Sequence, residues 1–372
     1  MKHSFALNPS TLVLSVVAGL LLAGCGGGSG SGSTTTATPA VTVTPPATTE
    51  ALWVANGANV VEFTPAQLAP GMNATVPHLS NNSGVFVAPQ GVVFDKAGHL
   101  WVLDGGNAVA GGTSPAALYR FDPDQLAALG TVANPTPAVT IKSPDFKFPQ
   151  QAVFDAQGNL WMSDNGADAV FVLAAAQLEQ SSSSLAPAAT ITSNAAFNGP
   201  LGIVFDQAGD LYVANNGTTT IFGFKAAHLP TMPGSFTLVP DVVLSDDGMG
   251  SIQAPWALVF DAAGNLWSSN ANPPNTVVEF SPMEIAQTGS PVPVVTVSPT
   301  VVNGQTTIAA PNGLAFDNLG DLAVISSATP FGVGFFTQGQ LDVTGAPGPR
   351  AFIVGAATTL NAPAGCNFGP VY

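Results

Sequence analysis

Positive charge is scarce in this sequence. Its 372 residues include 7 Lys and Arg against 22 Asp and Glu, which gives a formal net charge of −15. Proteins that bind nucleic acids or anionic lipid surfaces do so through clusters of basic side chains. The composition therefore argues against a nucleic-acid partner and against direct binding to an anionic membrane surface.

Cysteine is equally scarce, since the chain contains only Cys25 and Cys366. Small secreted scaffolds that depend on disulfides carry many more cysteines than this. Stability must instead come from buried apolar surface, and 46% of the residues are hydrophobic. A chain of this length can bury a core of sufficient size.

One motif recurs along most of the chain. Its clearest copy is PQQAVFDAQGNLWMSD, residues 149–164, and near-copies begin at Pro89, Pro200, Pro255 and Pro311. Residues 52–56 carry the second half of the motif, and residues 363–369 carry the first half. A period of roughly 50 residues indicates a repeat architecture, which decides the fold.

Each copy contains two β-prone runs around a turn that ends in Gly. This pattern predicts a β-hairpin whose Gly adopts the left-handed conformation; the glycines are Gly98, Gly158, Gly209, Gly264 and Gly320. A third and a fourth β-prone run follow each hairpin, and four antiparallel strands per radial unit are typical of a β-propeller. Counting the motif openings predicts an all-β, six-bladed β-propeller over residues 51–372. One shared blade, built from the N- and C-terminal strands, closes the ring, and Cys366 is a buried thiol on its inner strand.

The consensus Pro-x-Gly-(Ile/Val)-x-Phe-Asp-x-x-Gly-(Asn/Asp)-Leu-(Trp/Tyr)-Val-Ala-(Asp/Asn) resembles the NHL-repeat family of six-bladed propellers and its streptogramin-lyase-like relatives. The resemblance covers residues 51–372 and implies the fold. It implies no particular activity, because this fold carries both enzymes and binding modules. NHL units often have an Arg or Asn pair after the Asp, whereas this chain has Asn-Gly or short apolar and Thr-rich runs. Binding roles that depend on that Arg do not carry over.

The N-terminal region predicts export and lipid anchoring. Residues 1–24 combine a short basic start with an apolar run too short for a stable span, which is typical of a signal peptide. Leu22-Ala-Gly-Cys25 resembles the lipobox of bacterial lipoproteins, which implies acylation of Cys25; the alternative is an ordinary signal peptide with a chance Cys. The absence of Asp at position 26 implies the outer membrane. Residues 25–50 are rich in Gly, Ser, Thr and Pro and predict a flexible tether of about 25–30 Å.

Most residues that obey the repeat have a structural explanation. A short carboxylate at the start of each hairpin turn can accept backbone N–H bonds; these residues are Asp95, Asp155, Asp206, Asp261 and Asp317. The aromatic residues that share one position on the second strand are expected to pack between adjacent blades; they are Trp53, Trp101, Trp161, Tyr212 and Trp267.

Trp256 is the tryptophan that breaks the pattern, because it occupies the variable position of Pro-x-Gly. The other units have Gln90, Gln150, Leu201, Asn312 and Ala364 there. This position begins the innermost strand, so the six residues should surround one mouth of the central channel. Gln90, Gln150, Trp256 and Asn312 are therefore candidate ligand-binding residues.

A second group of candidates lies in the loops between the second and third strands, at the same end of the ring. These are Asn56, Asp104, Asn107, Asp164, Asn165, Asn215, Asn216, Asn270 and Asn272. Such side chains can bind a glycan or a peptide, or ligate Ca²⁺. Alternatively, they cap strand ends and form Asx-turns. The longest of these loops, residues 105–116, is a candidate lid.

Two functions are compatible with these residues. The first is a monomeric, non-enzymatic, lipid-anchored propeller of the cell envelope that binds a glycan or an envelope protein at its channel mouth, without a cofactor. The second is a metal-assisted lactonase or lyase in which Asp104, Asp164, Asn215 and Asn270 hold Ca²⁺ or Zn²⁺. The first is favoured, because His99 and His228 occupy ordinary repeat positions and no nucleophile elbow, Walker loop or His-Glu-x-x-His motif is present.

Overall fold

The computed structural model describes residues 48–73, 75–81, 84–107, 111–129 and 135–372. The signal peptide, Cys25 and the tether up to residue 47 lie outside the described residues. Within the described part of the chain, no helix is both long enough and apolar enough to cross a membrane.

The propeller of the described chain has six blades, each with four antiparallel strands arranged from the centre of the ring outward. Two of these sheets gain a fifth, parallel strand from the next blade, and a separate two-stranded sheet lies between blades 4 and 5. In order from the inner to the outer strand, blade 1 contains Pro89–Phe94, Leu100–Asp104, Ala117–Phe121 and Val139–Lys142; blade 2 contains Pro149–Phe154, Leu160–Asp164, Ala169–Leu173 and Ala189–Ser193; blade 3 contains Pro200–Phe205, Leu211–Asn215, Thr220–Phe224 and Val242–Ser245. Blade 4 contains Pro255–Phe260, Leu266–Asn270, Val277–Phe280 and Val295–Val297; blade 5 contains Pro311–Phe316, Leu322–Ser326, Gly332–Phe336 and Ala351–Val354; blade 6 contains Pro363–Gly369, Ala51–Asn56, Asn59–Phe63 and Leu79–Asn81. The predicted six-bladed β-propeller is confirmed.

Helices are short and lie in the connections. The α-helices are Pro123–Ala127 and Gln338–Leu341, and the 3₁₀ turns are Ala175–Leu178, Asn216–Thr218, Ala226–His228 and Ala356–Thr358. Four further short strands were not predicted: Gly71–Asn73, Gly234–Leu238, Val301–Val302 and Gln305–Thr306. We call the end of the ring where the inner strands begin the mouth end. The opposite end, which carries the hairpin turns, is the turn end.

Blade 6 closes the ring as predicted. Its second strand comes from the N-terminal part of the propeller and pairs antiparallel with its inner strand from the C-terminal part, so that Leu52 faces Phe368 and Val54 faces Cys366. Closure removes the sheet edges that open sheets expose to aggregation. Cys366 is buried, as expected, and burial raises the pKa of its thiol.

The core between blades repeats one aromatic contact. At each of five junctions the second-strand aromatic residue meets, edge to face, a Phe from the inner strand of the next blade; the pairs are Trp53–Phe94, Trp101–Phe154, Trp161–Phe205, Tyr212–Phe260 and Trp267–Phe316. Such pairs contribute about 0.5–1.5 kcal/mol beyond the burial of their surface. The prediction that these aromatic residues pack between blades is confirmed.

The hairpin aspartates also have the predicted structural role, with one addition. Asp155 Oδ1 accepts the backbone N–H groups of Gln157 and Asn159, each at 2.9 Å. Its Oδ2 accepts the indole N–H of Trp161 at 2.9 Å, a bond that was not predicted. The same indole bond recurs in blades 1 and 4. Gly158, at φ 83°, completes this turn in the left-handed conformation.

Adjacent blades are also joined along their outer edges. The connection between the third and outer strands of one blade pairs, in parallel, with the outer strand of the preceding blade. The pairs are Ile141 with Ser182, Ala189–Ser193 with Gly234–Leu238, Leu244 with Gly289, Val297 with Gly345, and Ala351–Ile353 with Gly71–Asn73. These contacts cover outer edges that would otherwise be free to pair with another chain.

Residues 48–50, just before the first propeller strand, contact blade 5. Thr48 and Thr49 hydrogen-bond the side chain of Asn318, and Glu50 accepts the Asn318 backbone N–H at 2.8 Å. Asn318 lies in the hairpin turn of blade 5. The chain therefore enters the propeller at the turn end, opposite the mouth.

Candidate functional site: the channel mouth

The Pro-x-Gly position forms a β-bulge in all six blades. In blade 1, Pro89 faces Asp104 and Gly91 faces Leu103, so Gln90 is an extra residue in the inner strand. The same register shift occurs in the other five blades. A bulge redirects the side chain of its extra residue and is common next to binding sites. The fold therefore gives this variable position a distinct orientation at the mouth end.

In four of the six blades a glycine follows the bulge residue, because the inner strands approach each other closely there. A Cβ on Gly91 would lie 2.4 Å from the carbonyl oxygen of Gln150, the bulge residue of the next blade. A Cβ on Gly202 would lie 2.5 Å from the carbonyl oxygen of Trp256. These contacts bring neighbouring bulge residues together around the channel. Below them, the channel encloses a cavity of about 250 Å³ lined by all six inner strands, mainly with apolar side chains.

The six bulge residues differ in exposure. Gln90, Trp256 and Ala364 are half-buried, whereas Gln150, Leu201 and Asn312 are buried. Trp256 is thus unlike the four tryptophans that pack between blades, which are at most 4% exposed. The structure therefore leaves one indole and one amide, that of Gln90, partly accessible at the mouth.

Among the buried residues of this ring, Asn312 has a side-chain atom without a hydrogen-bond partner in the described part of the chain. Its Nδ2 donates to the carbonyl oxygen of Pro363 at 3.1 Å. Its Oδ1 is buried and has no hydrogen-bond partner among the described residues. Most buried polar atoms in proteins are paired, and a buried water molecule is the usual partner of such an acceptor.

The Asn and Asp residues that end the second strands have a different role. Each is at most 1% exposed and accepts backbone N–H groups from the segment that precedes the inner strand of its own blade. The acceptor–donor pairs are Asn56 with Asn361 and Ala362, Asp104 with Val87 and Ala88, Asp164 with Lys147 and Phe148, Asn215 with Asn198, and Asn270 with Gln253, at 2.7–3.2 Å. These five side chains are strand-end caps, the alternative that the sequence left open. Their polar atoms are not presented to a ligand at the mouth.

The remaining loop asparagines are more accessible. Asn107 and Asn272 are exposed, while Asn165 and Asn216 are half-buried. The Asn107 Oδ1 accepts the Ser114 N–H at 2.9 Å, which folds the long loop of blade 1 back on itself. Asn216 Nδ2 donates to the carbonyl oxygen of Pro255 at 3.3 Å, directly before Trp256. That loop 105–116 covers the mouth stays a prediction, because residues 108–110 lie outside the described part.

The carboxylates of Asp104 and Asp164, at the mouth end, accept hydrogen bonds from backbone N–H groups. Burial raises the pKa of both Asp104 and Asp164, although N–H bonds to each carboxylate oppose this effect. Within the described residues, no three His, Cys, Asp or Glu side chains are grouped so that they could hold a metal ion.

The histidines lie at the other end of the ring. His78, His99 and His228 are each within 2.9 Å of a carboxylate, from Glu62, Asp95 and Asp241 respectively. All three occupy hairpin turns or connections at the turn end. Among the described residues, the imidazole side chains that could act as general bases therefore lie away from the mouth.

Comparisons with known proteins concern the fold. No protein-family model matches the sequence, and no curated protein matches it. The periplasmic gluconolactonase of Pseudomonas aeruginosa has a similar structure, with a TM-score of 0.51 and 16% identity over 87% of this chain and 99% of that one. A nidogen/laminin complex gives 0.53 and 13% identity over 86% and 98%. A streptogramin B lyase gives 0.43 and 17% identity, and the match spans 68% of this chain and 66% of that one.

The gluconolactonase and the nidogen/laminin structure, both with TM-scores above 0.5, support the β-propeller fold. At such identities the likeness concerns the fold alone, so function has to be argued from the residues of this chain.

Proposed function

We propose that this chain is a non-catalytic binding protein of the cell envelope whose ligand occupies the channel mouth. The observation that carries the proposal is the ring of bulge residues, in which the side chains of Trp256 and Gln90 are partly accessible at the mouth. The ring varies from blade to blade while its backbone geometry repeats. This is how a repeat scaffold displays a specific surface.

The chemistry of the ring favours a neutral ligand rich in hydrogen-bonding groups. Amide side chains supply both donors and acceptors, and the indole supplies a flat apolar face with one N–H donor. The net charge of −15 opposes an anionic ligand. A glycan, or an extended peptide segment of an envelope protein, has the required combination of polar groups and flat apolar faces.

The enzymatic alternative is less well supported by the same residues. A metal-assisted lactonase or lyase requires oxygen or imidazole ligands that are free to bind the ion. The oxygens of Asp104 and Asp164 already accept backbone N–H groups, and Asn215 and Asn270 are buried in the same way. The four residues proposed for a metal are thus occupied within the fold.

We further propose that a lipid on Cys25 anchors the protein in the outer membrane. The sequence of the lipobox, Leu22-Ala-Gly-Cys25, supports this proposal. Metabolic labelling with an alkyne fatty acid should mark the wild type and not Cys25→Ser. Labelling of both proteins would contradict the anchor.

Site-specific photocrosslinking tests the binding site. We expect p-benzoylphenylalanine at position 256 of the full chain to give a discrete crosslinked product in cells. The same group at position 283 is the control, because Met283 is 80% exposed and lies at the turn end. Equal crosslinking at both positions would contradict a partner at the mouth.

A glycan ligand is tested with chitotetraose as the probe. Binding to the purified full chain is measured by isothermal titration calorimetry, and Trp256→Ala should weaken it by about tenfold or more. If the probe does not bind and position 256 gives no specific crosslink, the proposed binding function is rejected.

A further inference from the structure

A large cavity lies between blades 2 and 3 at the turn end, away from the mouth. Its volume is about 760 Å³, which is within the range of about 300–1,000 Å³ that is usual for small-molecule sites. Its floor contains Trp161 and Phe205, whose rings meet edge to face with centroids 5.4 Å apart. Residues 229–233, from the connection of blade 3, line it from the other side.

The cavity exists because blade 2 has short apolar side chains at two positions, whereas in every other blade at least one of the two residues is larger or charged. The third-strand residue opposite the junction aromatic residue is Val172 in blade 2 and Arg120 in blade 1, where the guanidinium lies 5.9 Å from the ring centroid of Trp101. The residue that precedes the outer strand is Ala188 in blade 2 and Arg350 in blade 5.

The closing blade fills its junction with a hydrogen-bonded pair of side chains at these same two positions. Glu62 and His78 occupy them, with Glu62 Oε2 and His78 Nδ1 2.9 Å apart. Ala174 and Ala189 complete the small-residue wall of blade 2. The space is therefore specific to one junction and does not follow from the repeat.

The lid of the cavity is held by strand pairing. Directly after residue 233, Gly234–Leu238 pairs with all five residues of the outer strand Ala189–Ser193. At three other junctions the corresponding contact is a single bridge. Met232, which is 67% exposed, lines the cavity. An adaptable thioether at the rim suits the entry of apolar ligands of different shapes.

The polar lining has one sign of charge. Asp155 and Asp206 are the charged residues of the cavity, and its lining contains no Lys, Arg or His. Gln157, Asn159 and Gln207 add amides beside the aromatic and aliphatic surface. An anion would therefore be repelled, while an apolar body with neutral or cationic polar groups would find matching surfaces.

We propose that the cavity between blades 2 and 3 is a second binding site, for a neutral or cationic small molecule with an aromatic or branched aliphatic body. The site is independent of the mouth. It makes the turn end, where the tether joins the propeller, a functional surface in its own right.

Binding of N-phenyl-1-naphthylamine, a neutral aromatic probe, tests the proposal on the full chain. We expect saturable fluorescence enhancement with one probe per chain, and binding of its anionic analogue 8-anilinonaphthalene-1-sulfonate at least about tenfold weaker. Ala188→Leu should reduce affinity for the neutral probe by about tenfold or more, because the larger side chain occupies the cavity. Ala138→Leu, at the same repeat position in blade 1, is the matched control and should bind as the wild type does.

A second variant keeps the test decisive if Ala188→Leu does not fold. Met232→Asp changes an exposed rim residue and adds negative charge beside apolar surface, so it should also weaken binding of the neutral probe severalfold while melting as the wild type does. Absence of saturable binding would overturn the proposal, as would equal affinities of the wild type, Ala188→Leu and Met232→Asp. Loss of probe binding in Trp256→Ala, with binding retained in Ala188→Leu, would assign the probe to the mouth and would also overturn it.

Discussion

Replacement of Asp164 by Ala separates a structural role from a ligand-binding role at the mouth. The Asp164 carboxylate is fully buried. Its Oδ2 accepts the N–H of Lys147 at 2.9 Å, and its Oδ1 accepts those of Phe148 and Ala167 at 2.8 and 3.0 Å. Ala at this position would leave three backbone donors without their acceptors.

The magnitude follows from those three donors. A buried donor that loses its acceptor costs about 1–3 kcal/mol, so three donors give a loss of at least about 3 kcal/mol. Part of this is offset, because burial raises the pKa of Asp164 and the variant no longer buries a carboxylate. We therefore expect the free energy of unfolding to fall by about 3 kcal/mol, near the lower end of the range.

Asp164→Asn is the matched control. It keeps one oxygen acceptor, and Asn215 and Asn270 already occupy the same repeat position with intact caps. The amide should lose only the bond to Lys147, with a cost of about 1 kcal/mol. Urea unfolding of both variants at pH 7, followed by circular dichroism, gives the comparison. Unchanged stability of Asp164→Ala, combined with lost chitotetraose binding, would refute the capping role and favour a ligand contact.

Three further predictions follow from other parts of the ring. Burial and nearby carboxylates raise the pKa of Glu279 from 4.5 to about 7. Between these pH values the folded state holds a proton that the unfolded state has released. The free energy of unfolding should therefore fall as the pH rises from about 4.5 to above 7. Glu279→Gln should therefore raise the melting temperature at pH 8 and have little effect at pH 4.5, and parallel pH profiles would contradict this. Gly91→Ala should destabilise by more than about 1 kcal/mol because its Cβ meets a backbone carbonyl, whereas Gly339→Ala, in open space within a helical turn, should stabilise by about 0.5–1 kcal/mol in the same urea assay. Dialysis against a chelator should leave the melting temperature unchanged, and a stoichiometric divalent ion whose removal lowers it would favour the lactonase or lyase alternative.

The features that could be predicted from the sequence are those that repeat locally. Asp155, Gly158 and Trp161 lie within one hairpin, so their turn, left-handed glycine and packing position recur as a pattern of neighbouring residues. Closure of the ring was also predictable, because complementary halves of one motif stand at residues 52–56 and 363–369. The ring of variable residues around Trp256 could be found in the same way, as a departure at a fixed position of the motif.

The sequence could not assign a role to the Asn and Asp residues at the ends of the second strands, because their hydrogen-bond partners are distant in the sequence. Asp164 and the N–H groups of Lys147 and Phe148 are brought together only when the inner strand folds beside the second strand. An Asn or Asp that caps a strand end has the same local sequence as one that faces a ligand. Only the tertiary structure could therefore distinguish these roles.

The sequence by itself determined the fold class, the number of blades and the aromatic residues that pack five of the six junctions, because each depends on a short motif whose copies can be aligned with one another. Only the tertiary structure decided which polar side chains are buried, how the blades are joined along their outer edges, and where the cavity beside Trp161 lies. The physical reason is that each of these depends on contacts between different repeats. The short side chains of Val172 and Ala188 create a cavity only because residues 229–233 of the next blade cover the space beside them.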